Sequence, residues 1–72
     1  MITFRPFWAT MKTKGISTYK LEKDYNISRS MVHKLKNDKN IQLSTLNELC
    51  NMFDCSILDI IEYIPDKDID ER

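Results

Sequence analysis

The chain has no apolar run approaching the ~18 residues that a membrane-spanning helix needs, so bilayer insertion is not expected. Its first residues, Met1-Ile2-Thr3-Phe4-Arg5-Pro6, lack the basic start and apolar stretch of a signal peptide, and a cytoplasmic protein is expected. His33 is the single histidine and lies far in sequence from the two cysteines, Cys50 and Cys55. A structural zinc site wants about four Cys or His ligands, so no metal site is expected. A disulfide between Cys50 and Cys55 would close a short loop and stabilise little; the expectation is two buried, reduced thiols acting as small hydrophobes. There is no glycine-rich phosphate loop and no nucleophile with a base beside it. Neither catalysis, nor a cofactor, nor a small-molecule substrate is therefore expected. No repeat, linker or second domain divides the chain.

What is present is one small domain. A chain of 72 residues buries only about 60% of its unfolded surface, which leaves its stability marginal. The net charge of zero conceals an asymmetry. Residues 1–39 carry Arg5, Lys12, Lys14, Lys20, Lys23, Arg29, Lys34, Lys36 and Lys39 against only Glu22, Asp24 and Asp38. Residues 40–72 carry Lys67 and Arg72 against eight acids. Such a split suits one face turned to a polyanion and another kept away from it; two merely solvated faces fit the same charges.

Start and stop signals divide the chain into five short helices. Pro6 suits the start of a helix over 6–14 and Gly15 the position just past its end, with Phe7, Trp8 and Met11 as its apolar stripe. Ser17 caps a helix over 18–25, with Leu21 and Tyr25 on one face, and Asn26 ends it in a left-handed conformation. Ile27 points inward. Ser28 caps a third helix over 29–37, with Val32 and Leu35 inward. After a polar loop anchored by Ile41, Ser44 or Thr45 caps helix four, Thr45 and Glu48 fitting a capping box. Ser56 caps helix five, with Asp59 favouring its positive end. Pro65 stops it, and residues 67–72 read as an acidic, flexible tail. Ile2-Thr3-Phe4 and Glu62-Tyr63-Ile64 are short and β-prone, and they suit a small antiparallel ribbon joining the two ends.

The functional segment is Ser17 to Asn37. Two short helices meet at the tight turn Asn26-Ile27-Ser28, which crosses the second over the first and leaves one of its faces free. With Val32 and Leu35 inward, the outward face is Arg29, Ser30, His33, Lys34 and Asn37, all able to hydrogen-bond and none acidic. Arg matches the paired acceptors of a guanine edge, and Ser donates or accepts. The helix start favours phosphate through its free amides, as does Thr18 at the start of the preceding helix. Lys36, Asn37 and Lys39 suit the backbone beyond. Any amphipathic helix has a polar outer face, and a lone exposed His is usually idle. The turn, the spacing, the capping serines and the basic flank together favour DNA.

The runs Gly15-Ile16-Ser17-Thr18-Tyr19-Lys20-Leu21, Tyr25-Asn26-Ile27-Ser28-Arg29-Ser30 and Val32-His33-Lys34-Leu35-Lys36-Asn37 resemble the Cro and lambda-repressor type helix-turn-helix family, also called the xenobiotic response element family. Thr45-Leu46-Asn47-Glu48-Leu49-Cys50 and the segment from Phe53 to Tyr63 extend the resemblance, which covers about residues 4–66. It implies an all-α, five-helix, lambda-repressor-like DNA-binding domain over residues 1–66, from a small single-domain branch in which a strand after helix five pairs with an N-terminal strand. It implies a sequence-specific transcriptional regulator, expected to be a repressor, that is cytoplasmic, bacterial or phage-encoded, and nucleoid-associated. Arg29, Ser30, His33 and Lys34 occupy base-reading positions. Ser17, Thr18, Ser28, Lys36, Asn37 and Lys39 occupy phosphate-contacting ones, Thr18 standing where a glutamine is frequent. Glu22 departs from the usual alanine, so its carboxylate must turn outward, and Asn26 replaces the usual glycine.

One module of this size covers only about 600–1,000 Å² of DNA surface, so a homodimer on a palindromic site is expected. Helix five and the ribbon, with Ile60, Tyr63 and Ile64, are the expected dimer surface. The competing reading is a protein-binding adaptor or antitoxin-like module on the same fold.

Overall fold

Pro6 sits in the first turn of helix α1 (Arg5–Lys14), where a missing N–H costs nothing, and Gly15 ends the helix at φ 70°. The Ile16 N–H then donates to the Met11 carbonyl at 2.9 Å, closing a Schellman motif. Ser17 and Ser28 start α2 (Thr18–Lys23) and α3 (Arg29–Lys36) as the sequence indicates. Their hydroxyl oxygens accept from the Lys20 and Met31 N–H groups at 3.2 and 3.0 Å. Between them Asn26 takes the left-handed conformation at φ 56°, and Ile27 is buried. The computed structural model describes residues 1–66; the expected acidic tail over 67–72 lies outside the described residues.

Two expectations at the C-terminal side need correction. Helix α4 runs Leu43–Phe53, with Gln42 rather than Ser44 or Thr45 at its cap and no side-chain cap bond. Ladder bonding starts earlier, the Leu46 N–H donating to the Gln42 carbonyl at 3.1 Å. The expected fifth helix is a single 3-10 turn, Ile57–Asp59, so Met1 to Tyr63 hold four α-helices and not five. The physical reason is chain length. Ser56 starts the turn and strand β2 already occupies Glu62–Tyr63, which leaves too few residues for both an α-helix and an extended exit. The Asp59 carboxylate still accepts from the Ser56 N–H at 3.1 Å, as the spacing indicates. Helix α2 also stops at Lys23, so Tyr25 lies beyond it, half-buried with its ring 4.8 Å from that of Phe53.

The ribbon forms. Strand β1 (Ile2–Thr3) pairs antiparallel with β2, Ile2 opposite Tyr63 and Thr3 opposite Glu62. The adjoining Phe7 N–H donates to the Ile60 carbonyl at 3.1 Å, tying α1 to the chain leading into β2. The core takes Phe4, Phe7 and Met11 from the first part of the chain and Leu21, Ile27, Val32 and Leu35 from the middle. Leu46, Leu49, Phe53 and Ile60 complete it. Ile60 is fully buried, which removes it from the expected dimer surface; Ile64 is half-buried and Tyr63 exposed. No helix among the described residues is long and apolar enough to cross a membrane.

Leu35 is fully buried and Leu58 is 77% exposed. Leu35→Ala is therefore expected to lower the unfolding free energy in a urea titration by about 2–5 kcal/mol. Leu58→Ala should stay within about 0.5 kcal/mol of the parent.

Candidate nucleic-acid interface

Val32 and Leu35 are three apart, so they share one face of α3, and both are buried. Burying one leucine or valine side chain is worth about 1.5–3 kcal/mol, which fixes the roll of the helix. The opposite face then presents Arg29, Ser30, His33 and Lys34, all exposed. Ser28 precedes this face; its oxygen is engaged with the Met31 N–H while its own hydrogen stays available to donate. Ser17 is placed in the same way at the start of α2, where Thr18 is half-buried, and α2 packs on α3.

The far end of α3 is pinned to the first part of the chain. The Trp8 indole Nε1–H donates to the Leu35 carbonyl at 3.1 Å. The Lys39 N–H closes a Schellman motif on the Lys34 carbonyl at 2.9 Å, with Asp38 left-handed at φ 53° between them. The Asp38 carboxylate in turn accepts from the Phe4 N–H at 2.8 Å. Sequence reasoning missed both ties. The Trp8 indole was the available signal, since a partly buried indole N–H requires an acceptor.

The face is cationic, with one modulating acid. Among the described residues Lys34, Lys36 and Lys39 meet no carboxylate. The Lys36 ammonium stands 6.0 Å from the centre of the Trp8 ring. Arg29 meets Glu22, Nε to Oε1, at 3.7 Å. The carboxylate that replaces the usual small residue of α2 has turned outward and lies against the first residue of α3. Since the Arg29 side chain is 91% exposed, this pair is held loosely. Asn37 folds back on His33, its Nδ2 lying 2.9 Å from the carbonyl oxygen and 3.3 Å from ring Nδ1.

Other chemistry is sparse. Cys50 and Cys55 are free thiols, half-buried rather than buried as expected. Burial, followed by the neighbouring Cys50, pushes the Cys55 thiol above its ordinary value. Among the described residues no group of three or more His, Cys, Asp or Glu side chains could hold a metal ion.

A family model for the Cro/C1-type HTH DNA-binding domain matches residues 7–66. Among solved structures the chain is similar to the crystal structure of transcriptional regulator VanUg, form II. The TM-score is 0.77 at 25% identity, over 89% of this chain and 85% of that one. No curated protein matches the chain.

Two outcomes follow from these environments. Glu22→Gln should change unfolding free energy by no more than about 0.5 kcal/mol in urea, because the Arg29 pair is solvent-exposed. Cys55 should alkylate more slowly than a free thiol at pH 8. A raised thiol value means less thiolate at a given pH, so the rate should climb through a midpoint higher than that of the model thiol.

Proposed function

The chain belongs to the Cro/C1-type helix-turn-helix DNA-binding domain family, and from that premise we propose that it is a sequence-specific transcriptional regulator, acting as a repressor, that reads duplex DNA with α3. One observation carries this: α3 is locked with Val32 and Leu35 inward, so a face bearing Arg29, Ser30, His33 and Lys34 meets solvent. Each of these can place a donor on a major-groove edge. The Arg29 fork suits the O6 and N7 acceptors of guanine, and Ser30 is short enough for either a donor or an acceptor. Glu22 engages Arg29 at Nε, leaving the terminal nitrogens to a base.

Phosphate contacts on either side set the register. The hydroxyls of Ser17, Thr18 and Ser28 donate to phosphate oxygens on one side. Lys36 and Lys39 supply the charge on the other, Lys36 moving off the Trp8 ring to do so. Two copies bind together, since one module covers too little DNA for tight specific binding. The exposed apolar side chains Ile57, Leu58 and Tyr63 around the 3-10 turn and ribbon are the surface offered for pairing. The protein acts in the cytoplasm without catalysis or cofactor. The naming of VanUg as a transcriptional regulator supports the same reading.

Selection of duplexes from a random pool should return one motif, with dyad symmetry reporting two copies. Affinity for it should fall with salt at a log–log slope of about −0.9 per phosphate neutralised. Arg29→Ala should cost about 1–3 kcal/mol on the preferred duplex and relax selectivity at one base pair. Lys39→Ala should weaken all duplexes alike and reduce the slope by about 1. A chain with no duplex affinity even at low salt would overturn the proposal in favour of a protein-binding module.

A further inference from the structure

Asn37 is the C-cap of α3, and its side chain points back along the helix it closes. Its Nδ2 lies 2.9 Å from the His33 carbonyl oxygen. A carbonyl oxygen can only accept, so the amide group facing it has to be the NH₂ and not the amide oxygen. The same nitrogen lies 3.3 Å from His33 Nδ1. An NH₂ has two hydrogens, and with one on the carbonyl the other faces the ring. A ring nitrogen that receives a hydrogen offers its lone pair, so in the neutral imidazole the proton is on Nε2.

We infer that Asn37 is a positioning residue that fixes His33 as a hydrogen-bond donor through Nε2 toward a base edge. The inference rests on α3 being the DNA-reading helix. It gives Asn37 a different task from the phosphate contact implied by family resemblance. Both hydrogens of its amide are already spent on His33, and the remaining amide oxygen cannot bond a phosphate, which offers only acceptors. The consequence for recognition is chemical. A ring presenting Nε2–H selects acceptor atoms, meaning purine N7, guanine O6 or thymine O4, and rejects the exocyclic amino groups of cytosine and adenine.

His33 is the single histidine of the chain, so imidazole ¹⁵N resonances of the labelled protein need no assignment. With the imidazole in its neutral form, the parent should show Nε2 protonated and Nδ1 with a lone-pair shift. Asn37→Ala should move both shifts toward the average of two exchanging tautomers. Asn37→Asp, whose carboxylate can only accept, should remove the lone-pair signature at Nδ1. Unchanged ring shifts in both variants would overturn the inference, and the exposure of Asn37 lets both variants fold.

Duplex binding supplies the second arm. Asn37→Ala should lower selectivity at one base pair several-fold, up to about tenfold, and this loss should vanish in a His33→Ala background. A phosphate contact would instead weaken every duplex equally and persist without His33, which overturns the inference while leaving the DNA-reading role of α3 intact. A parent protein that binds no duplex overturns the role of α3, and the base contact with it. The ring shifts of the free protein separate that failure from a failure of the Asn37–His33 pair.

Discussion

The seating of α3 is the constraint on which the rest of the molecule depends. Two kinds of interaction set it, and their sizes differ. Burial of the Val32 and Leu35 side chains contributes about 1.5–3 kcal/mol each and decides which side faces inward. A single hydrogen bond such as Trp8 to Leu35 nets only about 0.5–1.5 kcal/mol, too little to set the roll but enough to fix where the helix stops sliding. A face that is merely polar is common; one whose rotation and axial position are both held is a surface that can read sequence.

The chain turns its corners with almost no glycine. Among the described residues four adopt positive φ, and of these only Gly15 is glycine; Asn26, Asp38 and Asp54 hold the rest. Asn and Asp tolerate this region because a short polar side chain can hydrogen-bond locally. Asp38 does more than tolerate it. The same residue that ends the C-terminal turn of α3 receives the Phe4 N–H at the end of β1. A glycine would turn the chain there equally well and lose the tie. At Asp54 the left-handed residue lets the Cys55 N–H reach the Cys50 carbonyl at 3.0 Å, which closes α4.

Much of this was legible in the sequence, and the legible parts share a cause. Pro6, Gly15, Ser17, Asn26 and Ser28 act on backbone groups within a few residues, so their roles follow from local chemistry. The ribbon was readable because both of its segments were β-prone, although only packing on the helices makes it stable. The fifth helix was misread because Ile57 to Ile61 has the apolar content of a helix; its length is limited by the partner strand, which lies at the other end of the sequence. The start of α4 was misread because backbone bonding begins there without any capping side chain. At the interface, the orientation of Arg29, Ser30, His33 and Lys34 followed from Val32 and Leu35 alone. The ties from Trp8 and Asp38 were hidden because each joins residues about thirty apart in sequence. The Asn37–His33 contact was within reach of the sequence, being one helical turn apart, but amide direction is a matter of three-dimensional detail.

Trp8 is the chain's one tryptophan, and it sits where α3 is fastened to α1. Indole emission is sensitive to the loss of a hydrogen-bond acceptor and to a nearby positive charge, here the Lys36 ammonium. The protein therefore contains its own optical gauge. Loosening of α3 from α1, or the departure of Lys36 from the ring, is registered as a change of colour by a side chain whose place in the fold is that of a fastener.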